Sequence, residues 1–223
     1  MFDPYSDDQY TFTKSWTFYI IVITVAMWLL QLVAYPLVDN LLALEPTVAL
    51  SGHIYQFVTY MFLHSTYTSA GTIYPLHILF NMFVLAIFGF SVEKVLGGKK
   101  FLVLYFLSGI GSALFYIAFN GVSTASLIGA SGGVFGLLAA YAFLFPKDWV
   151  FLFGFFPLPA ALLLVFLTLE EMFFGVLGLQ PGVANFGHVG GIITGLLVMS
   201  WWKWRKRRKE KVYGSRDFKF IWE

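Results

Sequence analysis

Four polar side chains stand in runs that are otherwise apolar: His77, Asn81, Ser131 and His188. A serine hydroxyl becomes a nucleophile only beside a base, and His188 is the candidate base. His77 and Asn81 belong to "HILFN" and are four residues apart. On a helix that spacing puts them on one face, one turn from each other. An imidazole N–H and an amide N–H aimed at one point can donate to a developing oxyanion. A nucleophile, a base and oxyanion donors together define acyl transfer to water.

Each residue also has a plainer reading. Ser131 lies in "SLIGASGGVFGLL" (Ser126–Leu138), where Gly132 and Gly136 form a G-x-x-x-G face suited to close helix packing. His188 lies in "NFGHVGGIITG", followed at +3 and +7 by Gly191 and Gly195, again a small-residue face. His77 and Asn81 could simply glue two helices. Taken one at a time, the packing readings are the commoner outcome. Gly129–Gly133 also fits the G-x-S-x-G pattern of soluble serine hydrolases. That motif needs a strand before the serine, whereas Gly121–Ala130 is a short polar link between two apolar runs.

The elements that must position these groups follow from composition. Of 223 residues, 59% are hydrophobic and 12% charged. Soluble domains are about 45–50% apolar and about 25% charged, so the chain is an integral membrane protein by composition. It has no cysteine, which excludes disulfides and thiolate chemistry, and nothing in it calls for a metal or cofactor. Six spans are expected: Phe18–Leu37, Leu76–Phe90, Phe101–Asn120, Ser131–Phe145, Val150–Leu169 and Phe186–Trp202. The first follows acidic Asp3, Asp7 and Asp8 and has no small-residue cleavage site, unlike a signal peptide. No period-2 pattern recurs, which argues against a β-barrel. The expected organisation is a short cytoplasmic segment 1–17, a membrane domain 18–202 and a basic cytoplasmic tail 203–223.

Charge orients the spans. Lys14, Lys94, Lys99, Lys100, Lys147 and the tail from Lys203 all fall on one side, and the connections 38–75, 121–130 and 170–185 carry no Lys or Arg. Both termini are therefore expected in the cytoplasm. The tail "KWRKRRKEK" reads as a membrane anchor with no folded module around it, so nucleic acid is not an expected partner. Spans 2, 4 and 6 then run in the same direction, and His77, Ser131 and His188 lie near their starts. The charge rule takes no account of these residues, so their arrival at one depth favours a shared site. Of the acids between Ser131 and His188, Asp148 is expected on the cytoplasmic side, and Glu170 and Glu171 at the solvent end of span 5. No carboxylate is expected to orient His188, and the site reads as a Ser131–His188 dyad.

With these motifs in order, the chain resembles the rhomboid family of intramembrane serine proteases. The resemblance rests on Gly129–Gly132, "HILFNM", the H-x-x-G-x-x-x-G from His188, "FLH" (Phe62–His64) and "VEKVLGGKKFLVLY" (Val92–Tyr105). It implies an all-α, six-transmembrane-helix bundle with Ser131 as nucleophile and His188 as base. It also implies an oxyanion hole from His77, Asn81 and the Ser131 N–H, supported by Gly129, Gly132 and Gly191. Phe135 falls where the family packs an aromatic ring on the histidine. Transmembrane protein substrates would enter from the bilayer between spans 2 and 5, where Pro157 and Pro159 would loosen span 5. The chain departs from the pattern at Tyr55-Gln56, where a Trp-Arg pair is usual, in a long Ser65–Leu76 stretch, and at Gly187. The expected location is the plasma membrane of a prokaryote. A proteolytically inactive, client-binding relative is the alternative. A transporter ranks last, because neither internal repeats nor mid-span Asp or Lys are found.

Overall fold

A computed structural model describes residues 11–68, 70–152, 155–180 and 182–213, with only the backbone described at 152 and 209–213. Asp3, Asp7, Asp8 and the end of the basic tail lie outside the described residues.

Helix α1 (Trp16–Ala34) opens on Ser15, whose Oγ accepts from the Phe18 N–H at 3.1 Å. The buried Glu93 carboxylate accepts from the N–H groups of Trp16 and Thr17 at 2.8 and 2.9 Å. An anion is favoured there, because the first turn of a helix leaves its donors unpaired. The helix stops before Pro36, as expected where the next residue disfavours helical geometry. Three short helices follow: α2 (Leu37–Leu42), α3 (Pro46–Leu50) and α4 (Gln56–Thr59), the last continued by a 3₁₀ turn over Tyr60–Phe62. Gln56 is buried, and its Oε1 accepts from the Glu45 N–H at 3.2 Å. The long stretch before α5 folds back on itself, with Tyr67 bridged to Ile73.

Helix α5 (Leu76–Leu96) outruns its expected end at Phe90 by six residues, and α6 (Gly98–Asn120) follows after Gly97 alone. Gly97 takes φ +77°, a conformation that glycine adopts without steric cost. Helix α7 (Ser131–Leu144) is short and central, and nine of its fourteen residues are buried. It packs against α5, α6, α8 (Ala160–Leu177) and α9 (Asn185–Tyr213). Helix α9 continues well past Trp202 into the basic segment.

One expected span is corrected. Only the second half of Val150–Leu169 is helical. Strands β1 (Trp149–Leu152) and β2 (Phe156–Pro159) form an antiparallel hairpin, and α8 starts at Ala160. The cause is Pro157 and Pro159. Proline lacks an N–H and turns the residue before it away from helical geometry, so a helix can begin no earlier than the second one, and Pro159 caps α8. The prolines precede the helix instead of loosening it. Glu170 and Glu171 consequently lie within α8, not at its end.

Among the described residues, four helices are long and apolar enough to cross a membrane: α1, α5, α6 and α8. Helix α7 is apolar but shorter. Exposed Phe80, Phe83, Leu114, Val165, Phe166 and Leu197 give the bundle an apolar exterior, the surface that lipid requires.

Candidate active site

Two glycine faces create the site. Built onto Gly195 of α9, a Cβ would lie 2.6 Å from the Gly136 carbonyl oxygen of α7. Built onto Gly191, one turn nearer the start of α9, it would meet the Gly132 carbonyl closer still. The two small-residue faces seen in the sequence therefore pack on each other. With no side chains between them, the backbones approach to near contact. The first turns of α7 and α9 are thereby brought together, and Ser131 and His188 with them.

His188 Nε2 lies 2.9 Å from Ser131 Oγ. On its other side, His188 Nδ1 lies 2.8 Å from Glu171 Oε1. An ionised carboxylate only accepts, so Nδ1–H donates to it, and the Nε2 lone pair accepts from the serine hydroxyl. The expectation that no carboxylate reaches His188 is thus corrected. Glu171 is buried in α8, and Asn185 Nδ2 donates to its second oxygen at 2.7 Å. The Phe135 ring, one turn beyond Ser131, stacks on the His188 ring at 4.5 Å and 23°.

The opposite wall comes from α5 and the loop before it. The Ser65 N–H donates to His77 Nδ1 at 3.2 Å. In neutral imidazole one nitrogen accepts while the other carries the proton, so His77 Nε2 is the donor. That Nε2 faces Gly129, where a Cβ would come within 3.2 Å of it and 3.6 Å of Ser131 Oγ. Gly129 has φ +129°, which resists a side chain in any case. Asn81 is buried beneath, and its Nδ2 donates to the His77 carbonyl at 2.9 Å. One amide hydrogen is used within the helix and the second is left over.

Several contributors lie outside the four polar residues read from the sequence. His64 is buried, and its Nε2 accepts from the Ala130 N–H at 3.3 Å, pinning the residue before Ser131. Burial, together with the neighbouring His77, pushes the His64 pKa down to about 3. Its neutral form is the one that can accept. The His64 N–H in turn donates to Gln31 Oε1 at 3.0 Å. Tyr60 O accepts from the Gly129 N–H at 3.0 Å. Of these, only His64 lies in a motif singled out above, "FLH". Among the described residues, no group of three or more His, Cys, Asp or Glu is gathered as metal ligands would be.

Four helices long and apolar enough to cross a bilayer, together with polar groups gathered at the starts of α5, α7 and α9, define an integral membrane protein with a buried polar centre. The chain belongs to the rhomboid family: the Rhomboid domain family matches residues 51–205, which include every site residue above except Gln31. It is 31% identical to RHOMBOID-like protein 6, mitochondrial, of Arabidopsis thaliana, over 73% of this chain and 50% of that protein. Identity to Rhomboid protease AarA of Providencia stuartii is 28%, over 82% of this chain and 70% of that protein. Identity to Rhomboid-type serine protease 2 of Emericella nidulans is 34%, over 64% and 25%. The chain thus spans half the length of the Arabidopsis relative and a quarter of the Emericella one. The family includes serine proteases.

Proposed function

We propose that this protein is an intramembrane serine endopeptidase that cleaves transmembrane segments. The observation that carries the reading is the 2.9 Å contact between Ser131 Oγ and His188 Nε2 at the first turn of α7. Ser131 Oγ attacks the scissile carbonyl carbon while its proton passes to Nε2. The carbonyl π pair moves onto oxygen, where the Ser131 N–H, His77 Nε2–H and the second Asn81 amide hydrogen receive it. Collapse breaks the C–N bond, and His188 gives its proton to the leaving amine. Water then repeats the sequence on the acyl-enzyme, releasing the acid and restoring Ser131.

In this reading α7 and α9 complete six spans, both termini are cytoplasmic, and substrates enter between α5 and α8. Beyond Leu164, the only buried residue of α8 is Glu171, so its outer half has little core to hold it. As for the compartment, the relatives do not favour a prokaryotic plasma membrane over an organelle. Proteins named as mitochondrial in Arabidopsis and yeast match alongside the Providencia one. An inactive, client-binding relative would not need a serine held against a histidine. The decisive test incubates purified protein with a panel of labelled single-span peptides. Ser131→Ala and His188→Ala should each abolish cleavage. Turnover persisting in purified Ser131→Ala protein would reject the proposal.

A further inference from the structure

We propose that Glu171 is a positioning residue that makes the site a Ser131–His188–Glu171 triad, and that α8 delivers it. This rests on the protease reading of the same site. Glu171 is the twelfth residue of α8, buried where its neighbours Val165, Phe166, Leu169, Met172 and Phe173 are exposed. A carboxylate turned into an apolar bundle needs partners for both oxygens. It has them: Oε1 bonds His188 Nδ1 at 2.8 Å and Oε2 accepts from Asn185 Nδ2 at 2.7 Å. Asn185 is itself held by Gln180, whose Oε1 accepts from the same Nδ2 at 2.9 Å. The carboxylate is thus fixed in place and not merely near the histidine.

The chemistry follows from proton placement. A carboxylate has no hydrogen to donate, so His188 must carry its proton on Nδ1, leaving Nε2 bare to take the proton of Ser131. When His188 becomes an imidazolium during attack, the adjacent negative charge stabilises it, and the proton stays on the imidazole. Glu171 touches neither substrate nor the reacting atoms. Its effect passes through His188.

Position on α8 adds a mechanical consequence. Glu171 is the only buried residue in the second half of that helix, so it also ties α8 to the start of α9. Any outward displacement of α8 at this level separates the carboxylate from His188. The base is therefore correctly set only while α8 is docked.

Glu171→Gln in the full chain is the informative variant. Glutamine fills the same volume, but its amide N–H can donate to Nδ1, which moves the imidazole proton to Nε2 and removes the acceptor for Ser131. The expected result is a fall of roughly 10²–10⁴ in kcat on a labelled single-span peptide, in line with soluble triads that lose their acid. KM should stay within about twofold, because the substrate contacts are untouched. Fluorophosphonate labelling of Ser131 should slow in parallel. Nitrogen NMR of histidine-labelled protein in bicelles supplies a readout independent of turnover. The chain has four histidines, and His188 is assigned by its loss in His188→Gln. Wild type should show a protonated Nδ1 and a bare Nε2, and Glu171→Gln the reverse. Wild-type protein with the proton on Nε2, or a Glu171→Gln variant with unchanged kcat, would overturn the assignment. If wild type cleaves nothing and takes no fluorophosphonate, the protease reading fails, and the wild-type spectrum still decides whether Glu171 sets His188. If Glu171→Gln does not fold, that wild-type spectrum decides it as well.

Discussion

A single methyl group added at Gly191 should disable the site without touching any group that does chemistry. At Gly195 a Cβ would stand 2.6 Å from the Gly136 oxygen, and at Gly191 it would press harder on the Gly132 oxygen. Ordinary contact begins at 3.4 Å, so Gly191→Ala must push α9 from α7 by at least about 0.8 Å, since backbone cannot flex aside as a side chain does. His188 is one turn away on α9. The same separation would stretch its 2.9 Å contact with Ser131 to about 3.7 Å, past the limit of a hydrogen bond. Misplacement of about 1 Å in a reacting pair costs on the order of 10²-fold in rate. The overpacking itself should cost about 1–3 kcal/mol of stability. The assay is initial-rate cleavage of a labelled single-span peptide in proteoliposomes, with a thermal melt by circular dichroism to show that the variant is folded. Gly187→Ala is the control. There a Cβ would meet Ser112 Oγ at 3.1 Å and the Ala184 methyl at 3.4 Å, contacts that side chains can absorb, and activity should stay within about twofold. A folded Gly191→Ala protein with wild-type kcat would refute the claim that the glycine faces set the Ser131–His188 distance.

Phe135→Ala removes the ring stacked 4.5 Å from His188. An aromatic pair contributes about 0.5–1.5 kcal/mol beyond burial, so kcat/KM should fall about two- to tenfold, and Phe135→Tyr should restore it. His64 gives a dependence on pH. Its folded pKa is lowered from 6.5 to about 3, so between those values the unfolded chain binds the extra proton. Stability from this residue is whole above pH 6.5 and declines as pH falls towards 3. The wild-type melting temperature should therefore drop more steeply below pH 6 than that of His64→Gln, and parallel curves would contradict it.

How much of this was legible in the sequence differs between residues for physical reasons. Ser131, His188 and His77 could be brought together because each opens an apolar helix, and the three helices run the same way. Helix starts are marked by composition alone, so an error of a few residues does no harm. Glu171 was invisible for the opposite reason. Its depth depends on where span 5 begins, and "WVFLFGFFPLP" (Trp149–Pro159) is as apolar as any helix. Hydropathy therefore placed the span about ten residues early and left the acids at its solvent end. Pro157 and Pro159 held the missing signal: restarting the helix at Ala160 gives eighteen residues and carries Glu171 inside. No such restart would have found Gln31 and His64. Their partners are 33 and 66 residues away in the chain, and no local spacing encodes such pairs. The glycines make a different point. A G-x-x-x-G face and an active serine looked like competing accounts of "GASGGVFG". They are one account, because the turns of α7 and α9 below Ser131 and His188 carry no side chains to hold the backbones apart, and at that spacing the two groups meet at 2.9 Å.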